Sequence, residues 1–263
     1  MNGINEIKIV ASDLDGTLLL DGAQKLNPEI FDLIRELKKR GILFLAASGR
    51  QYANLRRLFA PVQDEIAYLC ENGCLSFYRD RIINRELMER DLAIELIDAI
   101  QNTDGCEVLV SGVETCYIRP KKPGFLSHMR DVVGNNVTVV DNLMQIPEPY
   151  MKVSLFEYGG LDGTGWWQKT FSSRCTVVTG GNEWLDMMPK GVNKSTGFRE
   201  ILRHLQIAPE NCVVFGDNDN DLEMLEMAGI PVAMKSAKAS VRAAAVFTTD
   251  KVEHALEKLL GAL

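Results

Sequence analysis

The stretch IKIVASDLDGT, residues 7–17, decides the fold. Its first six residues are mostly apolar and β-branched, and they predict a short buried strand. The carboxylates of Asp13 and Asp15 follow directly, and Gly16 marks a turn where the chain leaves the strand. A continuous rather than alternating apolar pattern is typical of a parallel sheet whose two faces are both covered.

The same rhythm of strand and helix continues on both sides of a long middle segment. Asn27 and Pro28 predict the start of a helix, as N-cap and first helical residue, and Gly41 predicts its end. Further buried strands are predicted at residues 42–47, 66–70, 212–215, 232–234 and 246–249. Strands that alternate with helices predict an α/β fold with a Rossmann-like parallel-sheet core.

The middle of the chain breaks this rhythm. Four short strand patterns, in pairs that each flank a glycine-containing turn, predict two β-hairpins: residues 106–110 with 115–118, and residues 175–178 with 184–187. Helical patterns intervene near residues 92–100 and 166–171. We therefore expect a core domain of residues 1–82 and 190–263, into which an α+β cap domain, residues 83–189, is inserted.

Composition disfavours several classes of protein. The chain has 263 residues, of which 46% are hydrophobic, and a net charge of −7. No basic stripe is present, which disfavours a nucleic-acid partner. The longest apolar run, residues 42–47, is too short to cross a membrane, and an N-terminus with Glu6 and Lys8 is unlike a signal peptide. We expect a cytoplasmic protein with reduced, mostly buried cysteines and no membrane partner.

Four polar clusters stand where predicted strands end or a helix begins. They are DLDGT at residues 13–17, SGR at 48–50, GVNKS at 191–195 and GDNDND at 216–221. Any one of them is also typical of a helix cap or a solvated turn. Four together favour a ligand site, because open parallel sheets bind ligands at the carboxyl ends of their strands. Clustered carboxylates attract Mg²⁺, and Lys194 and Ser48 suit phosphate oxygens.

These clusters resemble the four motifs of the haloacid dehalogenase superfamily. DLDGTL, residues 13–18, resembles the first motif, Ser48 the second, Lys194 the third and residues 216–221 the fourth. The whole chain is similar to the Cof-like branch, subclass IIB, whose α+β cap (type C2B) lies between the second and third motifs. ENG, residues 71–73, also resembles that branch.

The resemblance implies a role for each catalytic residue. Asp13 would attack phosphorus and form an aspartyl-phosphate. Asp15 would protonate the leaving oxygen and then activate the water that releases phosphate. Ser48 and the amide of Gly49 would hold phosphoryl oxygens, and Lys194 would neutralise charge on the nucleophile and the phosphate.

A metal site is implied in the same way. Asp13, Asp217 and the main-chain carbonyl of Asp15 would bind Mg²⁺, and Asp221 would either support that metal site or orient the lysine. Asn220 would contact the phosphate. Arg50 is expected at the rim of the site.

Asp15 also separates branches of the superfamily. Dehalogenases lack an acid at this position and the ion-pumping ATPases carry Thr, so the residue indicates a phosphatase or a phosphomutase. We expect a Mg²⁺-dependent phosphomonoesterase whose partner is a small phosphorylated metabolite, either a sugar phosphate or a phosphorylated cofactor such as pyridoxal phosphate. A sugar phosphomutase is one alternative. A non-catalytic phosphate sensor is another, although a sensor would be expected to lose Asp13, Asp15 or Lys194.

Overall fold

The computed structural model describes residues 6–180 and 182–263. The first five residues, which belong to the stretch for which no signal peptide is expected, lie outside the described range. The chain divides into two compact units. One ends at Asn84 and resumes from Lys194 to Leu263, and the other is Arg85–Asn193. Among the described residues, no helix is long and apolar enough to cross a membrane.

The first unit is built on an eight-stranded sheet. Numbered in chain order, its strands are β1 (Ile9–Ser12), β2 (Leu43–Ala47), β3 (Ala67–Cys70), β4 (Leu75–Tyr78), β5 (Arg81–Arg85), β12 (Cys212–Gly216), β13 (Ile230–Met234) and β14 (Phe247–Thr249). Their order across the sheet is β14-β13-β12-β1-β2-β3-β4-β5. The first six in that order pair in parallel, and β4 pairs antiparallel with β3. The predicted parallel α/β core is therefore confirmed.

The described part of this unit contains six α-helices: α1 (Glu29–Lys39), α2 (Tyr52–Leu58), α6 (Lys194–Leu205), α7 (Leu222–Met227), α8 (Ala239–Ala244) and α9 (Val252–Ala262). The start of α1 follows its sequence signal, because Asn27 Oδ1 accepts a hydrogen bond from the amide of Glu29 at 3.2 Å. The helix buries Ile30, Ile34 and Leu37, which recur at the spacing of one helical face.

The second unit is an α+β domain with a six-stranded sheet. Its strands are β6 (Cys106–Ser111), β7 (Cys116–Ile118), β8 (Val137–Val139), β9 (Lys152–Glu157), β10 (Cys175–Thr179) and β11 (Trp184–Pro189), in the order β10-β11-β9-β6-β7-β8. Its helices are α3 (Arg90–Gln101), α4 (Gly124–Ser127) and α5 (Thr164–Phe171). Both predicted hairpins are confirmed. Gly181, in the turn of the second hairpin, lies outside the described residues.

Candidate active site

The site forms at one edge of the first unit's sheet. Strand β1 pairs in parallel with β12 on one side and with β2 on the other, so the carboxyl ends of all three meet at this edge. Asp13 follows β1, Ser48 follows β2 and Asp217 follows β12. The parallel topology therefore gathers residues that are far apart in the sequence, as the motif positions predict.

A buried charge cluster occupies the centre of this edge. Lys194, the first residue of α6, donates to Oδ1 of Asp13 at 2.5 Å and to Oδ1 of Asp221 at 2.7 Å. The side chain of Lys194 is only 1% exposed. A lysine is rarely buried unless it is paired, and here two carboxylates compensate for the lost hydration.

Burial and neighbouring charges raise the pKa values of three residues at this site. Burial raises the pKa of Asp13 well above its usual range, an effect that Lys194 opposes and Asp221 reinforces. Burial would neutralise Lys194, but the attraction of the two carboxylates outweighs it and raises the pKa of that lysine. Burial, followed by the charge of Asp221, also raises the pKa of Asp217. One lysine thus faces several carboxylates, which leaves an excess of negative charge at the site.

The first and fourth motifs approach each other closely at Gly16. This residue has φ +91°, a conformation that glycine adopts without steric cost. A Cβ atom there would lie 2.3 Å from Oδ2 of Asp217, so a side chain at this position would displace that carboxylate. The hydroxyl of Thr17 donates to the other carboxylate oxygen of Asp217 at 3.3 Å.

Asp221 is anchored from two sides. Its Oδ2 accepts hydrogen bonds from the amides of Asp217 and Asn218 at 3.0 and 3.2 Å, while its Oδ1 accepts from Lys194. Both carboxylate oxygens therefore have donors. This geometry favours the expectation that Asp221 orients the lysine.

The donor set fits a divalent cation. Oδ2 of Asp13 is buried and has no hydrogen-bond partner, which is costly unless another ligand binds it. One carboxylate oxygen each from Asp13, Asp217 and Asp221 lies within 4.8 Å of the others. An all-oxygen set with excess negative charge suits a hard cation such as Mg²⁺.

Asp15 has a partner that the sequence does not reveal. Nε and Nη2 of Arg50 donate to its two carboxylate oxygens at 2.9 and 2.6 Å, and Nη1 of Arg50 donates to Asn54 Oδ1 at 3.3 Å. The Asp15 side chain is 55% exposed, so it lies at the solvent side of the buried cluster. The sequence predicted Arg50 at the rim of the site, but it did not predict the pairing with Asp15, which lies 35 positions away in the chain.

Ser48 and Asn220, two of the expected phosphate-binding residues, each make a hydrogen bond at this end of the sheet. Ser48 is buried, and its Oγ accepts a hydrogen bond from the amide of Arg50 at 3.2 Å. Nδ2 of Asn220 donates to Oδ1 of Asn72 at 3.3 Å. Asn72, which motif spacing did not single out, therefore contacts one of the expected site residues; its only sequence signal was the ENG stretch at residues 71–73.

Comparison with known families settles the class of this chain. A haloacid dehalogenase-like hydrolase model matches residues 10–256, which is nearly the whole sequence. The chain belongs to this family. The predicted resemblance is therefore confirmed.

Two curated relatives of this hydrolase carry phosphatase names, which confirms the predicted phosphatase-type enzyme of the haloacid dehalogenase superfamily. A 5-amino-6-(5-phospho-D-ribitylamino)uracil phosphatase of Escherichia coli is 29% identical over 245 residues, covering 92% of this chain and 90% of the relative. A Bacillus subtilis protein with the same activity name is 25% identical over 258 residues, covering 94% and 93%.

Solved structures agree on the fold of this hydrolase. A protein of Eubacterium rectale superposes with a TM-score of 0.85 at 28% identity, covering 98% of this chain and 100% of that one. A sugar phosphatase of subclass IIB superposes with a TM-score of 0.81 at 22% identity, covering 97% and 100%. The predicted subclass IIB architecture is thus confirmed.

Proposed function

We propose that this hydrolase is a Mg²⁺-dependent phosphomonoesterase that acts on small phosphorylated metabolites through an aspartyl-phosphate on Asp13. The observation that carries the proposal is the buried cluster of Asp13, Lys194 and Asp221 beside Asp217. It combines a fixed carboxylate nucleophile, a permanent positive charge and an unpartnered carboxylate oxygen suited to a cation.

In the first half-reaction, a carboxylate oxygen of Asp13 attacks phosphorus and the bond from phosphorus to the leaving oxygen breaks. Asp15 gives its proton to that leaving oxygen, so the product departs as an alcohol rather than an alkoxide. Bound Mg²⁺ would neutralise charge between Asp13 and the phosphoryl group, held by Asp13, Asp217 and the Asp15 carbonyl.

The second half-reaction returns the enzyme to its starting state. Asp15, now ionised, takes a proton from a water molecule as that water attacks phosphorus. The bond between phosphorus and the Asp13 oxygen breaks, and inorganic phosphate leaves. Arg50, which donates to both carboxylate oxygens of Asp15, orients this side chain for its role as the base.

Phosphate binding falls to groups around the nucleophile. Lys194 supplies a buried positive charge whose strength is increased by exclusion of water. Ser48, the amide of Gly49 and Asn220 supply hydrogen bonds to phosphoryl oxygens. Because these donors are held in place before substrate arrives, little reorganisation is needed as charge develops in the transition state.

We further propose that the inserted unit acts as the cap and governs substrate choice. The chain returns from this unit at Asn193 and enters Lys194 directly, so one end of the insertion is covalently adjacent to the site. Sugar phosphates and pyridoxal phosphate are first candidates. Phosphoribitylaminouracil joins them because relatives in two bacteria carry that activity name.

A phosphate-release screen tests the proposed function. The intact protein is assayed against sugar phosphates, pyridoxal phosphate, the phosphoribitylaminouracil and a phosphopeptide, in Mg²⁺ and in excess chelator. We expect turnover of compact metabolites, little turnover of the phosphopeptide, and loss of activity in chelator that Mg²⁺ restores. Full activity in excess chelator would contradict the metal assignment. Sugar isomers formed without released phosphate would indicate a phosphomutase, and phosphate binding without turnover would indicate a sensor.

The leaving group should reveal the role of Asp15. In Asp15→Asn, single-turnover phosphorylation of Asp13 by an alkyl phosphate should slow by about 10²- to 10⁴-fold, since general acid catalysis has this magnitude. An aryl phosphate with an acidic leaving group needs little protonation and should lose much less. Asp80→Asn is the matched control, because Asp80 is also exposed and accepts from an arginine, Arg56, at 2.8 Å. Equal losses on the two substrates would refute an acid–base role.

A further inference from the structure

A strained turn contacts two of the expected phosphate-binding residues, Gly49 and Asn220. Glu71 and Asn72, which follow β3, have φ values of +50° and +54°. Both residues are buried. Glu71 reaches this left-handed region only at an energetic cost, and Asn72 at a smaller one, so two such residues in succession persist where the surroundings fix them.

The backbone of this turn is bonded to the chain on both sides of Gly49. The amide of Asn72 donates to the carbonyl of Ser48 at 3.1 Å, and the amide of Glu71 donates to the carbonyl of Arg50 at 3.1 Å. The left-handed conformation therefore directs two successive amides at the loop whose own amide is assigned to the phosphate.

The side chain of Asn72 contacts the same loop and the fourth motif. A Cβ atom on Gly49 would lie 2.9 Å from Nδ2 of Asn72, which means that the amide group packs directly against the Gly49 backbone. Oδ1 of Asn72 accepts the hydrogen bond from Asn220. One side chain thus touches two of the groups assigned to phosphate oxygens.

Helix α6 also packs against this turn. A Cβ atom on Gly197, in α6, would lie 2.9 Å from the Cα of Gly73, so the two glycines allow backbone to meet backbone. Helix α6 begins with Lys194. The turn therefore packs between the helix that carries the lysine and the loop that carries Ser48.

We propose that Asn72 is a positioning residue that sets the Gly49 amide and the Asn220 side chain for phosphate binding. This inference rests on the proposed function and extends it to a residue with no expected contact to substrate. The strain at residues 71–72 is retained because it places the amide group of Asn72 between these two donors. Donors fixed in advance stabilise transition-state charge more effectively than mobile ones.

The test separates the side chain from the backbone. Asn72→Gly removes the amide group but keeps a residue that adopts positive φ without strain. We expect kcat/KM for a phosphomonoester to fall about tenfold to 100-fold, because small misplacements of catalytic groups cause losses of this size. The inhibition constant for inorganic phosphate should rise by a similar factor. Asn84→Ala is the control, because Asn84 donates to the carbonyl of Gly73 at 3.4 Å without touching Gly49 or Asn220; it should change either quantity less than about twofold.

A double-mutant cycle with Asn220→Ala gives the decisive comparison. If Asn72 acts through Asn220, the fold-loss of kcat/KM in the double variant should be smaller than the product of the two single-variant losses. We expect the difference to be about fivefold or more. Multiplicative effects would overturn the proposal, as would a loss of thermal stability with unchanged phosphate inhibition. Should the wild-type protein release no phosphate from any monoester, the proposed function fails separately. In that case, calorimetry measures the affinity for inorganic phosphate in the presence of Mg²⁺. Weaker binding by Asn72→Gly than by the wild-type protein supports the positioning role of Asn72, and equal binding overturns it.

Discussion

Asp13→Asn is expected to lower kcat for every phosphomonoester by at least about 10⁴-fold, the scale seen when an enzyme loses its nucleophile. An amide oxygen cannot form the aspartyl-phosphate, and Asp217 and Asp221 are occupied by other contacts. Rapid-quench kinetics and mass spectrometry of the trapped protein measure turnover and the covalent adduct. The adduct should be absent from the variant.

The stability of Asp13→Asn should not fall with its activity. Because burial raises the pKa of Asp13, its ionised form is disfavoured by folding at neutral pH in the absence of Mg²⁺. A neutral amide removes that cost, so the free energy of unfolding should be unchanged or higher. The matched control is Asp219→Asn, in which an exposed carboxylate of the fourth motif is changed. Near-wild-type kcat in Asp13→Asn, or a lost activity that tracks lost stability, would refute the nucleophile assignment.

Lys194→Met should cost both activity and stability. The substitution leaves Asp13 and Asp221 without their shared cation in a buried site, and breaking a buried ion pair in this way destabilises a protein by about 3–5 kcal/mol. Loss of its charge from the phosphate site should reduce kcat/KM by about 10³-fold, the upper range for a single oxyanion-stabilising group. Denaturant unfolding in chelator and steady-state kinetics in Mg²⁺ measure the two effects.

Lys238→Met is the control for that substitution. Lys238 also pairs with an acid of the fourth motif, Asp219 at 2.7 Å, but both side chains are about half exposed. An exposed pair contributes little, so this variant should stay within about 1 kcal/mol of the wild-type protein and keep its activity. Equal destabilisation by the two substitutions would show that burial of Lys194 does not matter.

Local sequence features predicted much of the core. The apolar run before Asp13 predicted β1, and the hairpin patterns predicted β6 with β7 and β10 with β11. Strands β4 and β5 were missed. Strand β5 contains Arg81 and Asn84 and is largely exposed, so it has no continuous apolar pattern to reveal it. Tertiary pairing with β4 at the end of the sheet, rather than a hydrophobic pattern, makes it a strand.

The sequence by itself determined which residues stand at strand ends, because a strand and the turn after it are encoded in adjacent positions. Asp13, Ser48 and Asp217 were found in this way, and Lys194 was found from its place at the start of a predicted helix. Only the tertiary structure decided their partners: Lys194 lies 181 positions from Asp13, and Asn220 lies 148 positions from Asn72. Hydrophobic periodicity reports which face of an element is buried, not what meets that face. The pairings arise from the parallel order β12-β1-β2, which brings separate turns to one edge and buries their charges together.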